Sequence, residues 1–149
     1  MYVVDTGINI QRVEFEGCAS WGKTIPQNDV DEDRNGHGTH CAGAIGSRKY
    51  GVVRAVDLVA VKVLNSNGSG TMSDIIGGVL WTAEQAATKL AAAKAEYVTT
   101  GQTKYKGSVT NMSLGGGKSQ ALDDAINRAV DSGMHFAVAA GGGNRDGCS

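Results

Sequence analysis

Apolar residues along this chain gather in four short, nearly unbroken runs: Tyr2–Val4, Leu58–Val63, Ser108–Met112 and His135–Ala139. Runs of that length without polar alternation are the pattern of strands covered on both faces, so each is predicted as a strand of a parallel sheet. Between them the period changes. Ile75, Ile76, Val79, Leu80 and Ala83 recur at helical spacing behind Ser73, a predicted N-cap. Leu122, Ala125, Ile126, Ala129 and Val130 do the same behind Ser119, with Gly133 as the predicted stop. From Lys89 to Lys106 the chain turns to Ala, Lys, Thr, Gln and Gly, which predicts a helix end running into a solvated loop. Strands alternating with helices predict an α/β fold with a parallel sheet, in one layered domain over residues 1–149.

Composition narrows the picture in three places. The 22 glycines sit in short clusters between apolar runs, which predicts sharp turns and close backbone approaches. A net charge of −1 gives no electrostatic case for nucleic acid or an anionic membrane as partner. No apolar stretch approaches the roughly 18 residues of a membrane helix, and Met1–Asp5 does not read as a signal peptide. The three cysteines, Cys18, Cys41 and Cys148, are an odd number and do not form a disulfide scaffold. A chain that opens on an apolar strand and closes in a turn-rich stretch reads as part of something longer.

Several positions carry candidate chemistry. Asp5 follows a predicted parallel strand, where ligands of open sheets bind; it is either an acid that orients a histidine or a turn aspartate bonding its own backbone. His37-Gly38-Thr39-His40-Cys41-Ala42-Gly43 pairs an imidazole suited to general-base work with small residues that permit close helix packing. A metal module of His37, His40 and Cys41 is the competing reading, without the Glu of a H-E-x-x-H site; His40 is expected to be a packed structural histidine. Asp31-Glu32-Asp33-Arg34-Asn35-Gly36 imitates the start of an EF-hand loop, but the twelfth position is Ala42, so it is expected to be an acidic loop beside the site. Gly117-Lys118-Ser119 is no phosphate loop, because the earlier glycine falls on Met112. Gly115-Gly116-Gly117 and Gly68-Ser69-Gly70 are either ordinary turns or open edges for an extended peptide.

Taken in order, Val3-Val4-Asp5-Thr6-Gly7, Asn35-Gly36-His37-Gly38-Thr39-His40-Cys41-Ala42-Gly43, Val61-Lys62-Val63-Leu64, Asn67-Gly68-Ser69-Gly70, Asn111-Met112-Ser113-Leu114-Gly115-Gly116 and Val138-Ala139-Ala140-Gly141 resemble the subtilisin-like serine proteases. Cys41 after the second histidine resembles the proteinase K branch. Trp21-Gly22-Lys23-Thr24-Ile25-Pro26 and the Lys/Ala-rich insert are most similar to fungal vacuolar proteinase B (cerevisin-type) enzymes.

The resemblance implies the N-terminal portion of a subtilase-type α/β fold with a doubly wound parallel sheet in three layers, and a serine endopeptidase in which Asp5 is the acid and His37 the base of a Ser-His-Asp triad. It implies that Gly68, Ser69 and Gly70 on one side and Ser113, Leu114 and Gly115 on the other flank the substrate backbone. Gly116, Ala140 and Gly141 would wall the pocket for the residue before the cut, and Met72 a more distant apolar pocket. Polypeptide substrates, a propeptide or a protease inhibitor are the implied partners, in a vacuole or outside the cell. No cofactor is implied within the chain and no metal at its site; structural calcium belongs to the full-length domain. Three departures stand out. No Gly-Thr-Ser-Met-Ala block for the nucleophile occurs between Met1 and Ser149, and Gly142 holds the oxyanion position where Asn is expected. Arg12-Val13 replaces His-Pro, and Cys18 stands where arginine is usual. The resemblance also implies that Cys41 is a buried free thiol and that Cys148 pairs outside the chain. A non-catalytic pseudoprotease, or an antigenic fragment keeping the fold, is the alternative.

Overall fold

In the computed structural model, residues 1–144 and 146 are described; Gly147 and Cys148, with the pairing expected of the latter, lie outside them. The elements are β1 (Tyr2–Asp5), a 3-10 turn at Val13–Phe15, β2 (Ala19–Thr24), α1 (His37–Gly46), β3 (Leu58–Lys62), α2 (Met72–Thr100), β4 (Val109–Met112), α3 (Gln120–Asp131) and β5 (His135–Val138). The strands form one parallel sheet in the order β2-β3-β1-β4-β5. β1 is therefore central: the chain lays β2 and β3 on one side of it and then crosses to lay β4 and β5 on the other. That reversal opens a crevice at the carboxyl end of β1, where Asp5 stands.

Side-chain alternation divides the core between the two faces. Tyr2 and Val4 of β1 join Val59 and Val61 of β3 and Met112 of β4 beneath α2 and α3, which contribute Ile75, Val79, Ala86, Ala125 and Ala129. Val3 points the other way, with Leu58, Ala60, Phe15 and Ala42 of α1. The three layers are unequal. Two helices cover one face, whereas α1 covers only the β1–β3 part of the other. Val109 and Asn111, paired in register with His135 and Ala137, are the residues of β4 and β5 on the less covered face, and neither His135 nor Ala137 is buried.

The four predicted strands are present, each within a residue or two of its expected ends. β2 was not among them. Its run Ala-Ser-Trp-Gly-Lys-Thr alternates weakly, is interrupted by a register shift between Trp21 and Lys23, and sits at the sheet edge. Ser119 caps α3 as expected, accepting from the Leu122 N–H. The cap of α2 is Thr71 rather than Ser73: its side chain accepts from the Asp74 N–H, 3.0 Å, and so satisfies one of the first-turn donors. α2 also runs to Thr100, well into the stretch expected to unwind. Ala, Lys and Glu between Ala91 and Glu96 are strong helix formers, and only Gly101, in the left-handed region at φ 72, ends it.

Candidate active site

Asp5 is the last residue of β1 and is fully buried. A buried carboxylate needs donors, and it has them: the Thr6 N–H at 2.7 Å and the ring Nδ1 of His37 at 2.8 and 3.0 Å from its two oxygens. His37 is the first residue of α1, and its ring is about half exposed, 50%. One ring nitrogen is thus engaged inward while the rest of the ring reaches a cleft. A carboxylate only accepts, so the proton of the shared bond resides on Nδ1, leaving Nε2 as the nitrogen with a free lone pair.

Why the two residues meet follows from the glycine between them and the turn. Gly38 lies against the turn after β1: a Cβ there would collide with the Gly7 carbonyl oxygen and come 3.1 Å from the Asp5 Cβ. Gly36, the N-cap at φ 96, lets the chain enter α1 from an angle that an L side chain disfavours. The small residues after the first histidine therefore permit the approach, as the sequence suggested.

The cleft holds about 580 Å³ and is bounded by His37 and Thr6, by Gly68, Ser69 and Gly70 on one side, and by Ser113, Leu114 and Gly115 on the other. Both glycine-containing segments predicted as edges are therefore brought to His37. Ser113 donates to the Asn111 side chain, 3.1 Å. Met72 and Gly116 line a neighbouring apolar cavity of about 210 Å³, together with Leu114, Leu122, Ile126 and Val138. Ala140, Gly141 and Gly142 are exposed and line neither cavity; Gly141 has φ 91 and Asn144 φ 50.

Two expectations about the histidine segment need correction. His40 is exposed instead of packed, because its position on α1 faces a separate cavity of about 520 Å³ with Arg12, Glu14 and Tyr50. It is also absent from the cluster of metal-capable groups found among the described residues, which consists of Asp5, His37 and Cys41 with ligand atoms within 4.8 Å. Cys41 is a free thiol beside His37, as the resemblance implied, but half-buried where a buried one was expected, with Sγ 4.0 Å from His37 Nδ1. Burial pushes its thiol pKa up; a hydrogen bond with Ser113 pulls the other way, and the charge of Asp5 adds to the rise. Cys18 is likewise a free, half-buried cysteine.

The acidic loop lies beside the site, and its inner acid is already saturated. Asp33 Oδ1 accepts from Thr6 Oγ1 (2.9 Å), the Gly36 N–H (2.8 Å) and the Asn35 N–H (3.1 Å), and Oδ2 accepts from the N–H (2.9 Å) and hydroxyl of Thr39. Burial alone would raise its pKa, yet these donors outweigh it and hold the carboxyl below the ordinary value. Lys62, wholly buried in β3, places Nζ 2.9 Å from the Glu32 carbonyl and 3.5 Å from the Asp29 carboxylate. Protein donors thus fill both oxygens of Asp33, and an ammonium group stands against the same loop. Thr6, Asp33 and Lys62 were not singled out from the sequence. An Asp three residues ahead of a glycine N-cap is the signal that marks Asp33; a lysine inside an apolar strand run marks Lys62.

The profile of the subtilase family matches residues 2–147 of this chain. A subtilisin-like serine protease of Penicillium citrinum is 61% identical over 149 residues, which is 99% of this chain and 32% of that protein. Another, from Cochliobolus lunatus, is 57% identical across 100% of this chain and 29% of its own length. The crystal structure of a cold-adapted subtilisin-like serine proteinase superposes with a TM-score of 0.80 at 44% identity, covering 99% of this chain and 48% of that one. The chain spans about a third of the length of the curated relatives it matches.

Proposed function

The chain belongs to the subtilase family, and from that premise we propose that it is the acid- and base-bearing part of a serine endopeptidase. The observation that carries the reading is the buried Asp5 bonded through both oxygens to a half-exposed His37, at a cleft between two glycine-containing edges. In this reading Asp5 holds the imidazole with its proton on Nδ1, and His37 uses Nε2 to take the proton of a serine supplied from outside residues 1–149. Asp5 then stabilises the imidazolium that forms. A polypeptide lies extended between Gly68–Gly70 and Ser113–Gly115, pairing its backbone with both. The apolar cavity at Met72 takes an apolar side chain some residues from the cut. Gly116, with Ala140 and Gly141, belongs to the pocket of the residue before it. Calcium, if the whole domain holds it, sits outside the acidic loop. The setting is a vacuole or the extracellular space; among the described residues no helix is long and apolar enough to cross a membrane.

The test is casein cleavage by the full-length product carrying this sequence, freed of any propeptide, with and without a serine-directed phosphonate. Cleavage lost on phosphonate treatment and on His37→Ala is expected; intact casein and no labelling overturn the reading. Residues 1–149 alone are expected to hydrolyse nothing, since the acyl-enzyme route needs the serine.

Gly142 favours a second reading. A glycine offers no side-chain donor to an oxyanion, and in subtilisin itself loss of one such donor lowers turnover by about 10²–10³-fold. A non-catalytic protein keeping the fold predicts a recognisable downstream Gly-Thr-x-Met-Ala block from which serine has been lost.

A further inference from the structure

We propose that Asp33 is a positioning residue for the Asp5–His37 pair, holding the end of β1 and the start of α1 in mutual register. The inference rests on reading Asp5 and His37 as acid and base. The pair is 32 residues apart in sequence, so its 2.8 Å bond depends on how β1 and α1 are fixed to each other. One carboxylate makes that connection. Asp33 takes the hydroxyl of Thr6, the residue after Asp5, and the N–H of Gly36, the residue before His37. It also takes both donors of Thr39, one turn into α1. The two threonines relay the link. Thr6 Oγ1 accepts the Gly38 N–H at 2.9 Å, and Thr39 Oγ1 accepts the Asn9 N–H at 2.8 Å, so the strand end and the helix start are stitched on both sides of the pair.

The chemistry calls for a carboxylate. Asn35, Gly36, Thr6 and Thr39 all present donors to it. An amide there would turn one acceptor into a donor and face its NH2 against the Thr39 N–H. The Gly38 and Thr39 N–H groups are among the donors that a helix leaves without intrahelical partners, so the stitching satisfies them as well. A cap would do that much anywhere on the protein. What marks Asp33 is that its hydroxyl partner, Thr6, is covalently next to the buried acid while its Gly36 partner is next to the base.

The experiment follows the Nδ1 proton of His37 by 15N-histidine NMR in the full-length product carrying this sequence, comparing Asp33→Asn, Thr6→Val and Thr82→Val. Thr82 is a buried threonine in α2 that donates to the Val79 carbonyl, so its loss reports the cost of removing a buried hydroxyl away from the site. Asp33→Asn is expected to speed exchange of that proton about tenfold, the loss associated with weakening one charge-assisted hydrogen bond. Thr6→Val is expected to speed it about threefold, and Thr82→Val to change it less than about twofold. If Asp33→Asn does not fold, Thr6→Val against Thr82→Val decides. Equal exchange in Thr6→Val and Thr82→Val, or a parent spectrum without a protected Nδ1 proton, overturns the proposal. The readout needs neither serine nor turnover. Failure of the full-length product to cut casein would therefore sink the functional reading and leave this result standing.

Discussion

β1 and β5 run parallel in one sheet and end on the same side of it, yet they are in opposite states. Every residue of β1 is buried, its terminal carboxylate has its donors, and the loops around it are cross-linked by Asp33 and Lys62. β5 has no fully buried residue; Val138 is 61% exposed, and Gly141 and Gly142 beyond it have open space where a Cβ would go. The difference teaches that the site is assembled unevenly. The Asp5–His37 side is fixed by packing and hydrogen bonds, whereas the side that includes Gly141 and Gly142 has little among the described residues to hold it.

Gly38→Ala should strain the contrast most. The new methyl would meet the Gly7 carbonyl oxygen, and a loss of about 4 kcal/mol or outright unfolding is expected in a urea melt. Gly116→Ala, with nothing within 4 Å of the added carbon, should shift the midpoint by less than about 0.5 kcal/mol. Equal effects would erase the distinction. Val4→Ala comes next, at about 2 kcal/mol for a fully buried side chain, against less than about 0.5 kcal/mol for Val138→Ala.

Acid sharpens the comparison further. The folded-state pKa of Asp33 lies below its unfolded value, so its contribution is complete above the unfolded value and is lost as pH falls through the folded one. Parent stability should therefore decline from about pH 4 downwards, and Asp33→Asn should flatten that decline in a series of urea midpoints. An unchanged acid slope would place the titrating groups elsewhere. The smallest effect is chemical. Because burial raises the Cys41 thiol pKa, its alkylation should be slower than that of free cysteine at neutral pH and still climbing where an unperturbed thiol has levelled off.

The sequence made the β1 side legible because its signals are local and redundant. An apolar run followed by Asp-Thr-Gly, and a histidine among small residues, name their own surroundings, whereas the two glycine clusters read as turns or open edges alike and only the family resemblance chose edges. What escaped was relational. His40 shares a motif with His37 but lines a different cavity, which the motif by itself does not reveal. Asp33 looked like one acid among several, and only its convergence with Thr6 and Thr39, from other segments, sets it apart. β2 was missed because an edge strand with a register shift lacks the unbroken apolar run of a central one. For Ala140 and Gly141 the described residues assemble no wall against which the expectation can be read.

α2 carries a consequence for how long its amides keep their protons. At 29 residues it is about 43 Å long, more than twice the roughly 17 Å of β3. Its buried residues are concentrated between Ile75 and Ala86, with Ala93 alone beyond them. Deuterium should therefore enter the helix in two tiers. The first half opens only with the sheet beneath it, while the last turns fray by themselves and exchange quickly. One continuous helix thus contains a stretch that shares the lifetime of the core and a stretch that does not.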